Sequence, residues 1–235
     1  MSTLTPVETP LLLADQAFER ILSAIITGEI PPGEYIKEAR VAKQLNISRG
    51  PLREAIGKLE GYKLLVRTPN MGARVIAFTP SDIEELFSIR GALEGLCCQL
   101  AATMMTNEEL ESLEHLVERM RERPEGALAD SYQAADEDFH IQIIRGSRNS
   151  RLIRLLCQDI YYQLRVIRHY ASKHGGRARN VYKEHRKILD ALQERDPKRA
   201  ESAMRKHIAN ARETALKIFE TIAKNQQAAK QASAD

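Results

Sequence analysis

The run Leu45-Asn46-Ile47-Ser48-Arg49-Gly50-Pro51-Leu52-Arg53-Glu54-Ala55-Ile56 constrains this chain more than any other stretch. It reads as a tight turn that opens a short amphipathic helix. Ser48 is placed to cap that helix, because its hydroxyl can accept from the free amides of the first turn. Pro51 falls in the same turn, where a missing N–H costs nothing. Leu52, Ala55, Ile56 and Leu59 recur at helical spacing and define one buried face. Arg49, Arg53 and Lys58 are left to point elsewhere. An apolar-backed helix that offers arginines from its first turns suits a DNA major groove. Taken alone, the stretch also reads as a solvated basic face on an ordinary helix, so its surroundings have to decide.

Charge is the first of those surroundings. Residues 1–36 carry one Lys/Arg against five Asp/Glu, and residues 37–74 carry nine against three. The remainder is nearly balanced, twenty-five against twenty-four. The net +3 therefore hides a basic segment concentrated around the opening helix, the footprint expected of phosphate binding. Upstream, Asp15 can cap a helix whose apolar stripe is Phe18, Ile21, Leu22, Ile25 and Ile26. Gly28-Glu29-Ile30-Pro31-Pro32-Gly33 ends it in a turn. A second short helix spans Glu38 to Leu45, with Val41, Ala42 and Leu45 inward. After Gly61 the period changes. Leu64, Val66 and Val75 alternate with polar neighbours around Pro69-Asn70-Met71-Gly72, which predicts a β-hairpin. Three helices and a hairpin in this order make a winged helix-turn-helix over residues 14–77, behind a Thr/Pro-rich flexible arm at 1–13.

Beyond that the pattern is wholly helical. Thr79-Pro80-Ser81-Asp82 starts a helix, and segments are predicted at 80–105, 106–123, 126–147, 149–173, 178–195 and 197–224. Short breaks between them predict an antiparallel all-helical bundle over residues 78–224. Residues 225–235 lack an apolar stripe and read as a disordered tail. The fold class expected is mainly α. No apolar run approaches a membrane span and no signal peptide is visible. Cys97, Cys98 and Cys157 show neither metal nor disulfide spacing, which fits buried thiols in a reducing cytoplasm. A cytoplasmic location is expected.

The run Ile47 to Ile56, with Gly61 and then Pro69 to Gly72, resembles the winged helix of the GntR family of bacterial transcription regulators. The later segments resemble the all-helical FCD ligand-binding domain of the FadR type. That likeness rests on Arg90 to Glu94, Asp136 to His140, Glu184-His185-Arg186 with Ile188-Leu189, and His207-Ile208. Together the two cover roughly residues 14–220. The resemblance implies a homodimer that binds a pseudo-palindromic double-stranded DNA operator and responds to a small effector, most often as a repressor. It carries Arg49 and Arg53 over as the arginines that reach DNA and Gly72 as the wing-tip glycine, and the DNA-contacting set expected adds Arg40, Ser48 and Gly50. Two positions depart from the family pattern. Ala39 follows Glu38 where arginine is common, with Arg40 one place later, and Met71 stands before the wing-tip glycine where a basic residue is usual. Arg49 and Arg53 should therefore carry more of the recognition, with Arg40 as helper.

Asp136 and His140 are four residues apart and project from one helix face. His185 and His207 lie on the two last predicted helices, and facing helices of a bundle can bring such groups together. One buried histidine usually just hydrogen-bonds in a core, so only the four together point to a metal. Three imidazoles and a carboxylate suit Zn²⁺ first, with Ni²⁺, Mn²⁺ or Fe²⁺ also possible. The resemblance supplies the same four positions as the metal site of the metal-binding FCD subgroup. His115, His169 and His174 read as surface or loop residues. Arg90 can take an effector carboxylate in a bidentate grip, or close an internal salt bridge to Glu94 one turn on. The effector expected is a small organic acid held between the metal and Arg90. An enzyme is not expected: Glu137-x-x-His140 is a single copy of a motif that di-iron bundles use twice, and no base or nucleophile pairs with the site. The alternative is a metal-dependent hydrolase fused to a DNA-binding module.

Overall fold

The computed structural model describes residues 13–69, 71–121, 139–173 and 178–232. Most of the expected arm, Asn70 of the wing, Asp136, His174 and the Gly175-Gly176 break lie outside the described residues. The chain divides into two compact units, residues 1–77 and 78–235.

The first unit runs α1 (Leu13–Thr27), α2 (Glu38–Leu45), α3 (Arg49–Gly61), β1 (Leu65–Thr68) and β2 (Gly72–Val75). The stripe of α1, from Phe18 to Ile26, is buried as its spacing predicts. Asp15 does not cap α1, which already begins at Leu13. Its carboxylate accepts from Lys58 Nζ at 2.6 Å and so ties α1 to α3. Asn46, left-handed at φ 52, closes α2 and turns the chain into α3. Ser48 holds the N-cap position of α3 with extended backbone, yet its side chain makes no capping bond. The reason is local. A cap accepts from the second or third helical amide, and the third residue here is Pro51, which has no N–H. Leu52, Ala55, Ile56 and Leu59 are fully buried, and burying a Leu or Ile side chain stabilises by about 1.5–3 kcal/mol.

The hairpin pairs Leu65 with Val75 and Thr68 with Gly72. A third edge joins it, where the Ile36 amide donates to the Ala73 carbonyl at 2.7 Å and Val75 to Glu34 at 2.9 Å. The inward residues are Leu64, Leu65, Ala73 and Val75, whereas Val66, expected inward, is exposed. Lys63 is left-handed at φ 58, and Leu64 still bonds back to the Leu59 carbonyl at 3.0 Å. The strand pleat thus starts one residue later than the alternation suggested, which sends Val66 outward.

The second unit is α4 (Pro80–Met104), α5 (Asn107–Arg121), α6 (Phe139–Gly146), α7 (Ser150–Arg154), a π-helical turn (Leu155–Ile160), α8 (Tyr161–Lys173), α9 (Ala178–Gln193) and α10 (Pro197–Ala232). Thr79 and Asp82 form a reciprocal capping box at the start of α4. Asn149 caps α7 through the amides of Arg151 and Leu152, both at 3.2 Å. The helix expected over 149–173 is interrupted by the π turn. Helix α10 continues through Ala232, so residues 225–232 are helical where a disordered tail was expected. Ala, Lys and Gln propagate helix without needing an apolar face.

One core runs from Ile83 and Phe87 through Leu113 and Ile188 to Phe219. Helices α4 and α10 approach closely at Gly95, where a Cβ would sit 2.8 Å from Arg205 Cγ. That approach places Arg90 and Glu94 beside the middle of α10. Cys97 and Cys98 are buried and Cys157 is half-buried. Burial pushes the Cys97 thiol up to about 12. His169, expected at the surface, is buried at 8% exposure, whereas His115 is exposed. Among the described residues no helix is long and apolar enough to cross a membrane.

Candidate metal centre and nucleic-acid interface

Three of the four expected metal ligands meet in the bundle. His140 on α6, His185 on α9 and His207 on α10 are 6%, 4% and 3% exposed. One ligand atom from each lies within 4.8 Å of the others. Asp136, one turn before His140, falls outside the described residues.

The rings are oriented by partners behind them. His140 Nδ1 lies 2.6 Å from Glu94 Oε2, and His207 Nδ1 lies 2.7 Å from Glu184 Oε2. An ionised carboxylate only accepts, so each Nδ1 donates to its glutamate and each Nε2 is the nitrogen turned to the other rings. His185 is supported differently. Its Nδ1 lies 3.3 Å from Met120 Sδ, and its ring stacks on Phe139 with centroids 3.9 Å apart. The three Nε2 atoms then face one another: His140 to His207 at 3.2 Å, and His185 to His207 at 3.3 Å. Carboxylates that hold the opposite ring nitrogen are the usual support of a metal-binding histidine. The donor set fits a divalent metal.

Arg90 is 2% exposed and its Nε donates to Glu94 Oε1. The sequence left two roles open for it, and the geometry contains the salt bridge. Arg90 Nη2 also lies 3.4 Å from both His140 ring nitrogens, so the guanidinium sits against the ring rather than along one bond. Its carbon lies 5.3 Å from the Phe87 ring centroid. Glu94 thus joins Arg90 to His140. Asn210 Nδ2 donates to the other oxygen of Glu184 at 2.7 Å. Sequence reasoning missed Glu184, Met120 and Phe139 as supports. Glu184 adjoins His185 but serves His207 on another helix, and no spacing rule announces that.

On the first unit, Arg40, Ser48, Arg49, Gly50 and Arg53 are exposed, and Gly72 is half-buried at φ +94. Arg53 Nε donates to Glu38 Oε2 at 3.1 Å, and Arg40 lies 3.6 Å from Glu34. Arg49 forms no ion pair among the described residues. The sequence reading did not single out Arg67 and Arg74, both exposed on the hairpin. Their signal was present in the basic count of residues 37–74. Arg67 pairs with Glu60 at 2.9 Å. Exposed pairs of this kind contribute about 0–1 kcal/mol, so a phosphate can replace the glutamate at little cost. Met71 is 59% exposed at the wing tip, and the Tyr35 hydroxyl donates to its sulfur at 3.5 Å.

Comparison with known proteins adds a family. Residues 85–210 match the model of the FCD domain, and residues 13–75 match that of the bacterial regulatory proteins, gntR family. A probable D-xylose utilization operon transcriptional repressor of Paenarthrobacter nicotinovorans is 32% identical over 201 residues, 86% of this chain and 88% of that protein. The HTH-type transcriptional repressor RspR of Escherichia coli (strain K12) is 27% identical over 89% of this chain and 92% of its own. Among solved structures, E. coli McbR/YncC superposes with a TM-score of 0.71 at 19% identity, covering 88% of this chain and 98% of that one. A putative GntR regulator of Rhodococcus sp. RHA1 gives 0.66 at 21% identity over 86% and 97%. These two show the fold. The matching families and relatives are transcriptional regulators, not enzymes. The chain belongs to the GntR family, a DNA-binding transcriptional regulator with an N-terminal winged helix-turn-helix and a C-terminal helical FCD domain.

Proposed function

We propose that this regulator is a cytoplasmic homodimer that represses from a pseudo-palindromic operator and is released by a small organic acid bound at a metal centre. The observation that carries the proposal is the convergence of three buried Nε2 atoms, two of them with Nδ1 held by carboxylates. His140, His185 and His207, with Asp136, would hold the metal, Zn²⁺ first and Ni²⁺, Mn²⁺ or Fe²⁺ next. The metal would supply a Lewis-acidic position for a carboxylate oxygen. Arg90 closes the site electrostatically while it stays on Glu94. Repression accords with two relatives that are named repressors.

At the DNA end, Arg49 and Arg53 would enter the major groove from α3. Arg40 and the Ser48 hydroxyl would reach phosphate, and Gly50 and Gly72 would allow close approach of the backbone. Coupling requires that the effector bind the DNA-competent and DNA-incompetent arrangements with unequal affinity. Elemental analysis of purified protein, paired with a gel-shift titration of operator DNA, tests the reading. Stoichiometric metal in the wild type and its loss in His207→Ala are expected. Equal metal content in the two would refute the centre.

A further inference from the structure

Among the described residues of the first unit, three large apolar side chains are exposed, and two of them lie on the hairpin: Val66 at 43% and Met71 at 59%. Single exposed apolar residues are ordinary, but these two belong to one surface. Val66 pairs with Arg74 across the β1–β2 ladder, and Tyr35 pairs with Arg74 from the opposite edge. Residues paired directly across a ladder project from the same face. Val66, Arg74 and Tyr35 therefore form one row across the ribbon. The Tyr35 hydroxyl donates to Met71 Sδ at 3.5 Å, which joins the tip residue to that row. The Met71 amide donates to the Thr68 carbonyl at 3.1 Å, so the backbone is held as well. An apolar side chain is thus kept exposed at the hairpin tip by a turn and a phenol.

Charge indicates what the tip meets. Arg67 and Arg74 are exposed on the two strands behind it. Arg53 of α3 and Arg67 of β1 converge on one carboxylate. Glu38 Oε2 accepts from Arg53 Nε at 3.1 Å, and Glu38 Oε1 lies 4.0 Å from Arg67. That shared partner sets β1 beside the first turns of α3, so the hairpin continues the basic face of the helix. The two grooves of a duplex adjoin, so DNA that takes α3 in its major groove offers the hairpin tip the next minor groove. That groove is about 6 Å wide and carries a degenerate hydrogen-bond code. Methionine is narrow and unbranched, and it is among the apolar residues that wedge between base steps and kink the duplex. The kink costs least at a pyrimidine–purine step.

We propose that Met71 is a specificity-determining residue, an apolar wedge that enters the minor groove beside the α3 site and selects a flexible pyrimidine–purine step there. Arg74 meets a phosphate behind it. The proposal rests on the placement of α3 in the major groove and goes beyond it, because it assigns a sequence preference to a side chain that carries no hydrogen-bond donor.

The test is selection of binding sites from a random-sequence duplex library by the full-length protein, followed by affinity measurement on the selected duplexes. Wild-type sites should carry a TA or CA/TG step at a fixed distance outside the base pairs read by α3. Changing that step to an A-tract should weaken wild-type binding about fivefold or more. Met71→Ala should lose both the enrichment and the fivefold penalty, with its melting temperature and its preference at the α3 positions unchanged. Met71→Leu should keep the preference. Met71→Lys should turn it towards A-tracts and steepen the salt slope by about one per bound subunit. Wild-type sites without the flanking step, or a Met71→Ala protein that still selects it, overturn the proposal. Selection with Arg53→Ala separates the two readings. Altered preference at the inner positions alone reports on α3, whereas a flanking step that depends on Met71 alone sustains the wedge even if α3 lies elsewhere.

Discussion

Arginine meets glutamate in both halves of this protein, with opposite consequences. In the first unit Arg53 and Glu38 pair with side chains 65% and 22% exposed. In the second, Arg90 and Glu94 pair with both side chains 2% exposed. The chemistry is the same and the solvent is not. Water and salt screen the exposed pair, so Arg53 can leave Glu38 for a phosphate. The buried pair has no water to fall back on, and removing one partner strands the other as an uncompensated charge. Arg53 is thus a group in reserve. Arg90 is a fixture that holds Glu94, which holds His140.

The largest expected effect breaks the fixture. Glu94→Gln should cost about 3–5 kcal/mol in urea unfolding, because Arg90 stays buried without its counter-charge. Arg90→Met with Glu94→Leu should recover most of that stability yet still weaken metal binding about 10–100-fold, because His140 loses the carboxylate behind it. A Glu94→Gln protein as stable as the wild type would show that water reaches the pair. Next comes the metal itself. A chelator should lower the wild-type melting temperature and leave that of His207→Ala unmoved; bound metal at a hundredfold over its Kd contributes about 2.7 kcal/mol. An equal drop in both would locate the metal elsewhere.

In the DNA-binding unit the effects are smaller and leave the fold alone. Arg53→Ala should weaken operator binding about tenfold and reduce the salt slope by about one if its contact is to phosphate. Unchanged affinity at every salt concentration would remove α3 from the groove. The smallest effect is Glu38→Gln, which releases Arg53 and removes a negative charge. Operator affinity should rise a few-fold at low salt. A fall would mean that Glu38 aims Arg53 rather than merely occupying it.

Much of this was legible in advance where the physics is local. The buried face of α3 follows from Leu52, Ala55, Ile56 and Leu59, and the start of α4 from Thr79 and Asp82. Local rules failed where two of them competed. Ser48 is a cap by type, but Pro51 removes the amide it would cap. Val66 alternates by pattern, but Lys63 shifts where the pleat begins. They failed again where a residue's partner lies far along the chain. Glu184 serves His207, Met120 sits against His185, and the buried position of His169 follows from packing around α8.

The sequence by itself determined the two kinds of secondary-structure pattern, the basic segment around Ser48 to Ile56, and the inventory of imidazoles and carboxylates. Periodicity and charge are properties of neighbours in the chain, and they survive without a tertiary structure. Which histidine nitrogen faces the centre and whether an arginine is in reserve or fixed were decided by the fold. Those are questions of burial and of approach between helices, and burial has no meaning until the chain has packed. The opening run from Leu45 to Ile56 keeps its basic face, and Glu38, fifteen residues before Arg53, sets what Arg53 touches before DNA arrives.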